Sequence, residues 1–225
     1  MVSFYFVKEE SIIMLTMKEK GMYRRLLLGA AMAAAWAFLS CGVGLAADPV
    51  SLTFEEKDHV DAVNGSFNVG EDPLVAWDVL TDFDHLPKFV GSLKKSHVQE
   101  SLGPYHFILE QEFEGGFLFI TKRVRVVLDV RESLNQTIDF TDTDHRDFAF
   151  YEGSWRLVPD PGKGLKVIYT LRAMKNFDSP FAGDYMRGGI KDLLDAVRKE
   201  ILRRQAEALK QKTPVPVALG DSKGN

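Results

Sequence analysis

The segment from Asp72 to Leu93 constrains the fold more than any other part of the chain. Asp72 is a candidate N-cap and Pro73 stands at a first helical position, where its missing N–H is harmless, so a helix is predicted over residues 73–81. One side of this helix is apolar. It is formed by Leu74, Trp77 and Leu80 or Thr81.

A second short helical segment follows directly. Asp82 and Asp84 interrupt the first helix, and residues 85–90 then form one or two turns that end at Gly91. Their apolar residues are Leu86, Phe89 and Val90. Two short helices before a long series of strands are an unusual order, which narrows the possible folds.

Alternating apolar residues and turn signals predict about seven strands. The first covers residues 60–69 and has a candidate bulge at Asn64 and Gly65, where the alternation shifts. The hairpin after the third strand is placed at Gly115 and Gly116. Short connections favour an antiparallel meander. The other six strands are predicted over residues 93–102, 105–113, 117–131, 137–141, 148–157 and 165–174.

A long amphipathic helix is predicted at the end of the domain, over residues 181–209. Its apolar residues recur every three or four positions, which predicts one face packed on the sheet. They are Met186, Ile190, Leu193, Leu194, Val197, Ile201 and Ala208. The fold class is therefore α+β.

This order of elements resembles the START-like, or helix-grip, superfamily, and in particular its polyketide cyclase/dehydrase and coenzyme Q-binding branch. The resemblance covers residues 60–204 and is carried by core and turn residues at 76–98, 114–130, 150–171 and 192–204, from AWDVLTDFDHLPKFV to DLLDAVRKEILRR. It implies a curved antiparallel sheet wrapped around the C-terminal helix. It also implies an apolar cavity for a lipid, an isoprenoid quinone or a polyketide.

Residues 1–47 have the layout of a secretory signal peptide. Four basic residues between 18 and 25 precede an uncharged run over 26–47 that ends in small residues, with cleavage expected after Ala46 or Ala47. This predicts export to a bacterial periplasm. An uncleaved membrane anchor and a lipoprotein at Cys41 are the alternatives to a cleaved signal peptide. A start of translation at Met17 or Met22 is a further alternative, which would shorten this segment.

The remaining chain should be one globular domain over residues 48–210, since 45% of the whole sequence is hydrophobic and 27% is charged. Residues 211–225 contain two prolines and no periodicity, which predicts a disordered tail. Removing residues 1–47 leaves 23 Lys and Arg against 29 Asp and Glu, a formal charge of −6. An acidic chain of this kind disfavours nucleic acid as a partner.

Aromatic and apolar residues in phase on the strands are candidates for a cavity wall, although simple core packing is the more common role of any one such residue. The candidate ligand-binding residues are Trp77, Phe89, Phe107, Leu109, Lys122, Trp155, Tyr169, Met186 and Ile190. Lys122 is the one charged residue among these candidates. It either faces the cavity with an acidic partner or lies in solvent after a register slip at residues 121–123.

No catalytic, metal or cofactor motif emerges from the sequence. The five histidines lack a metal-ligand spacing, and the polar run at residues 142–147 is most simply a turn. His85 beside Asp84 is a candidate pH-sensitive gate or an exposed polar pair.

These observations predict non-catalytic binding of a hydrophobic small molecule, with transient membrane contact. One rival is an enzyme of the cyclase or dehydratase type that uses Lys122, Tyr169, Glu152 or Arg172. The other is an interaction module with a filled core. A cavity with converging ionisable groups would favour the enzyme, and the absence of any cavity would favour the module.

Overall fold

The computed structural model describes residues 49–117, 120–177 and 182–212, without the side chains of residues 116, 117, 120–122, 182 and 212. The predicted signal segment and C-terminal tail lie outside these residues. The side chain of Lys122 does too. No helix in the described ranges combines the length and the apolar character needed to cross a bilayer.

A single sheet and a long helix dominate the described part of the chain, as the helix-grip prediction requires. The strands follow the order β1-β2-β8-β7-β6-β5-β4-β3, with every neighbouring pair antiparallel. The elements are β1 (Ser51–Lys57), β2 (Val60–Val69), α1 (Pro73–Leu80), a 3₁₀ helix (Phe83–Lys88), β3 (Leu93–Gly103), β4 (His106–Phe117), β5 (Ile120–Ser133), β6 (Thr137–Asp142), β7 (Phe148–Asp160), β8 (Gly164–Lys175) and α2 (Ala182–Lys212).

Strand β1 is the eighth strand, which the sequence prediction missed. It pairs with β2 through a tight turn at Asp58 and His59, both of which have positive φ angles (53° and 65°). Such a turn usually contains Gly or Asn, so the sequence carries no clear hairpin signal there. Only Leu52 and Phe54 of β1 pack against the core, because an edge strand buries little.

Helix α1 begins as predicted, since the Asp72 carboxylate accepts a hydrogen bond from the Leu74 N–H at 3.1 Å. Its buried face was predicted correctly for Trp77 and Leu80 but not for Leu74. Leu74 is 59% exposed, whereas Trp77 and Leu80 are buried together with Ala76 and Val79.

The predicted bulge in β2 is absent, because the registers with β1 and β8 run without a shift. Gly65 serves another purpose. A Cβ atom at this position would lie 2.4 Å from Cδ1 of Leu194 on α2, so the missing side chain lets the helix approach the sheet. Leu194 is fully buried in this contact.

The hairpin between β4 and β5 extends further than predicted. Gly115 and Gly116 pair with Lys122 and Thr121 inside the ladder and do not form the turn. Glycine permits extended backbone as readily as a turn, which explains the error. The register is unbroken around Lys122, so the slip considered for residues 121–123 does not occur.

Alternation along the strands separates an apolar inner face from a polar outer face. On β8 the inward residues Leu165, Val167, Tyr169, Leu171 and Ala173 are all buried. The outer face of β4 and β5 carries ion pairs such as Arg125–Glu110 at 2.7 Å. The core is therefore the layer between the inner face and α2.

Polar contacts fix the C-terminal half of α2 to the loops around α1. The Gln205 carboxamide accepts from the Gly70 N–H at 3.0 Å and donates to the Gly70 carbonyl at 3.2 Å. Arg204 binds Asp82 at 2.8 Å and Glu200 at 2.7 Å. Hydrogen bonds from Arg203 and then Arg204 lower the pKa of Glu200 to about 2.

Candidate functional site

Two apolar cavities lie between the inner face of the sheet and α2. The larger cavity has a volume of about 100 Å³ and the smaller about 60 Å³. The larger is near the start of α2 and includes Leu171, Phe177, Tyr185, Met186 and Ile190. The smaller is near the 3₁₀ helix and includes Phe83, Leu86, Leu109, Phe140 and Trp155.

Four residues line both cavities and form a shared wall between them: Phe113, Tyr151, Tyr169 and Leu193. The two tyrosines are buried, whereas Phe113 and Leu193 are only partly buried. The interior is therefore largely filled. The four side chains of the shared wall divide the remaining space, and two of them are less buried than the others.

The polar groups of the shared wall are the hydroxyls of Tyr151 and Tyr169. Their rings are surrounded by other aromatic rings, with Trp155 centred 4.6 Å from Tyr169 and Phe148 centred 5.0 Å from Tyr151. Burial raises the pKa of Tyr151 to about 12 and that of Tyr169 well above its ordinary value. Both hydroxyls are consequently neutral at physiological pH.

Gln111 adds a further uncharged polar group, at the smaller cavity. Its side chain is buried in phase with Leu109 and Phe113, and its Nε2 donates to the Ser96 hydroxyl at 3.2 Å. Neither Gln111 nor Tyr151 was among the predicted site residues. Alternation would have revealed both, because each shares the phase of an inward aromatic residue two or four positions away.

The structure brings five of the predicted site residues to the cavities and places the others elsewhere. Leu109 and Trp155 line the smaller cavity, Met186 and Ile190 line the larger, and Tyr169 lines both. Trp77 is buried in the core, Phe89 packs against the core, and Phe107 packs on Phe83 with ring centroids 6.1 Å apart. The side chain of Lys122 is outside the described part.

Two residues proposed for the enzyme alternative cannot contact the cavities. Glu152 and Arg172 lie on the outer face and form an exposed ion pair at 3.0 Å. Each is out of phase with its inward neighbour, Tyr151 or Leu171, so its side chain emerges on the solvent side. The hydroxyl groups that these two strands present to the cavities are those of Tyr151 and Tyr169.

The polar run at residues 142–147 has a structural role. The buried Asp142 carboxylate accepts hydrogen bonds from the N–H groups of Val127, Asp144 and His145, which fixes the loop before β7. Within the described ranges, no group of His, Cys, Asp and Glu is arranged to hold a metal ion.

His85 was expected beside Asp84 but pairs with Asp82 instead. Its Nδ1 contacts the Asp82 carboxylate at 2.6 Å, while Asp84 lies 3.4 Å from His97. The His85 side chain is more than half exposed, as an ordinary polar pair at a helix start would be.

Comparison with models of protein families identifies the family of this chain. Residues 69–201 match the family model described as polyketide cyclase/dehydrase and lipid transport. The chain belongs to this family. A search of curated proteins gave no match.

Solved structures of low sequence identity share the fold. Human StAR-related lipid transfer protein 5 is 10% identical with a TM-score of 0.55, covering 82% of this chain and 99% of its own. The Zhui aromatase/cyclase from Streptomyces sp. R1128 is 12% identical with a TM-score of 0.53, covering 70% and 100%. A START superfamily protein from Mycobacterium smegmatis is 13% identical with a TM-score of 0.52, covering 64% and 98%.

Proposed function

We propose that this protein binds a hydrophobic small molecule between its sheet and α2 and carries it without changing it chemically. The observation that supports this most directly is the shared wall, which is apolar apart from two neutral hydroxyls. Apolar area removed from water contributes about 25 cal/mol per Å² to uptake. A lipid or an isoprenoid quinone is the class of cargo that such a cavity would hold.

The shared wall has to move for a ligand of that size. The cavities have volumes of about 100 and 60 Å³, whereas sites for drug-sized ligands begin near 300 Å³. Phe113 and Leu193 are the movable part, since both are only partly buried. Rotation of these two side chains would join the cavities while the buried tyrosines stay in place.

Access is proposed at the end of the larger cavity, beside the first turns of α2. Ser92, Gly115 and Tyr185 line the cavity there and are all partly exposed. A hydrogen bond of 2.9 Å from the Ser92 N–H to the Asp192 carboxylate joins the β3 side of this opening to the helix. A ligand entering here would reach the shared wall after passing Met186 and Ile190.

Native mass spectrometry of the protein purified from its own cell envelope tests this function. We expect a stoichiometric lipid or quinone on the wild type and its loss from Leu193→Trp, which fills the space at the shared wall. Leu202→Trp is the matched control, because Leu202 lies on the same helix and packs against the core away from both cavities. A wild type that carries nothing and fails to take up diphenylhexatriene would refute the proposal.

We also propose that the protein is exported, on the evidence of the apolar run and small residues within 26–47. N-terminal sequencing of the protein from a periplasmic fraction should then give a chain that starts at residue 47 or 48. A cytoplasmic protein that retains residues 26–47 would contradict export.

A further inference from the structure

The large hydrophobic residues that are exposed in the described part of the chain all lie at one end of the domain. We call it the loop end, and it consists of residues 70–74, 102–105, 133–136, 160–164 and the last turn of α2. Single exposed apolar residues are common, but a group of them at one end indicates an interaction surface. The five residues are 46–67% exposed, and they are Leu74, Leu102, Tyr105, Leu134 and Leu209.

The β3–β4 turn and the β5–β6 turn form the centre of the loop end. The N–H of Glu132 donates to the carbonyl of Tyr105 at 2.9 Å, which places the two turns side by side. Their sequences, LGPY over 102–105 and SLNQ over 133–136, contain no charged residue. The two turns therefore present two leucines and a tyrosine to the surroundings without a charge between them.

An open depression of about 460 Å³ connects these turns to the start of α1. Leu74 and Leu134 are chain neighbours of two residues that line the depression, so they flank it on two sides. The exposed leucines consequently belong to one surface and not to separate loops. The lining includes Pro73, Asn135, Leu157, Pro161 and Leu165.

The chain also enters the domain at the loop end. Ser51, the first residue of β1, pairs with Ser66, three residues before β2 ends at Val69. Only residues 48–50 separate Ser51 from Ala47, where the predicted signal segment ends, and a chain of that length spans at most about 14 Å. Export through the apolar run over 26–47 would therefore bring the loop end close to the membrane surface.

We propose that the loop end docks on a lipid bilayer, with Leu102, Tyr105 and Leu134 inserted at its surface. Tyrosine suits this position, because the boundary of a bilayer is apolar on one side and wet on the other. Burial of apolar area drives the docking, since the two turns are uncharged and the chain without residues 1–47 has a formal charge of −6. The inference relies on the proposed export to reach the membrane and is independent of what the cavities bind.

Docking in this way turns the cavity opening away from the bilayer. The proposed access lies beside Tyr185 in the first turns of α2, whereas Leu209 is at the other end of the same helix. The 24 residues between them correspond to about 36 Å of helix. The bilayer at the loop end would thus hold the domain in place, and a ligand would enter and leave from the opposite side.

Flotation of the exported, processed protein with phosphatidylcholine vesicles tests the docking, because these vesicles carry no net charge. The double variant Leu102→Ser and Leu134→Ser should lower the partition coefficient by about 10-fold or more. The matched control is Ile108→Ser with Ile168→Ser, two partly exposed apolar residues on strands β4 and β8 away from the loop end, and it should stay within about 2-fold of the wild type. Neither double variant touches a cavity, so both should keep the wild-type affinity for diphenylhexatriene in the absence of vesicles.

Quenching by phosphatidylcholine with brominated acyl chains tests the orientation. Tyr105→Trp places a fluorophore at the loop end, and Ala149→Trp places one at the start of β7, which is exposed at the opposite end. Quenching above that of the wild type is expected for Tyr105→Trp alone. Quenching confined to Ala149→Trp, or flotation of the loop-end double variant equal to that of the wild type, would overturn the inference. A wild type that stays in solution, as a monomer or as a dimer, would overturn it too, while the diphenylhexatriene titration judges ligand carriage separately.

Discussion

Replacing Gly65 by Ala tests whether the close approach of α2 to β2 determines how the helix is seated. The new Cβ would lie 2.4 Å from Cδ1 of Leu194, closer than two carbon atoms can approach. Leu194 is fully buried, so its side chain has little room to turn away. Either the helix or the Leu194 side chain has to shift.

The expected cost follows from two opposing effects. Overpacking a core costs about 1–3 kcal/mol, and replacing glycine stabilises the folded state by about 0.4–1 kcal/mol because the unfolded chain loses freedom. We therefore expect Gly65→Ala to lower the free energy of unfolding by about 1–2 kcal/mol. Leu194→Ala alone should lower it by about 2–5 kcal/mol.

The double variant should be more stable than the sum of the two changes predicts. Removing the Leu194 branch relieves the clash, and the methyl group introduced by Gly65→Ala enters part of the space, which is worth about 0.8 kcal/mol. The coupling free energy should be about 2 kcal/mol, measured by urea unfolding followed by circular dichroism.

Gly103→Ala is the control, because a Cβ there meets no atom within 4 Å. A Gly65→Ala protein as stable as this control, or a coupling below about 0.5 kcal/mol, would refute the proposed contact.

Three further predictions concern the cavities, the outer face of the sheet and the ion pairs of Glu200 on α2. Phe113→Ala removes part of the shared wall and should increase the number or size of diphenylhexatriene-like probes taken up, as measured by titration; unchanged capacity would show that the wall does not limit size. Glu152→Gln and Arg172→Gln should leave probe affinity within about 2-fold, because this ion pair lies on the outer face; a large loss in either variant would return the pair to the site. The pKa of Glu200 is lowered from 4.5 to about 2, mainly by Arg203, so its contribution to stability is present above pH 4.5 and declines as the pH falls toward 2. The stability difference between wild type and Glu200→Gln, measured by urea unfolding, should shrink across that interval, and a difference that stays constant would contradict the assigned ion pairs.

Features encoded by neighbouring residues were predictable from the sequence. The cap at Asp72 depends on atoms two residues apart, and the inward face of β8 depends on simple alternation. The long helix was predicted within one residue at its start, and its end extends three residues beyond the predicted limit, to Lys212. These elements follow from local rules that need no knowledge of the partner strand.

Features that depend on distant contacts were missed or misplaced. Strand β1 has β2 as its single strand neighbour in the described sheet, and its charged residues give no sign of that pairing. The close approach at Gly65 depends on a residue 129 positions away, Leu194, so it was misread as a bulge. The tyrosine pair depends likewise on the juxtaposition of β7 and β8.

The pairing of β2 with β8 has a consequence for how the chain folds. Val60 to Val69 on β2 bind Leu165 to Met174 on β8, so about a hundred residues separate strands that lie side by side. Contacts of such large sequence separation form slowly, because the loop has to close before any pairing is gained. During synthesis, β2 therefore has its final neighbour only on the β1 side until the last strand has been made. The enclosed core, including the layer beneath α2, is among the last features to form, and a newly made chain stays exposed to mispairing and aggregation for most of its synthesis.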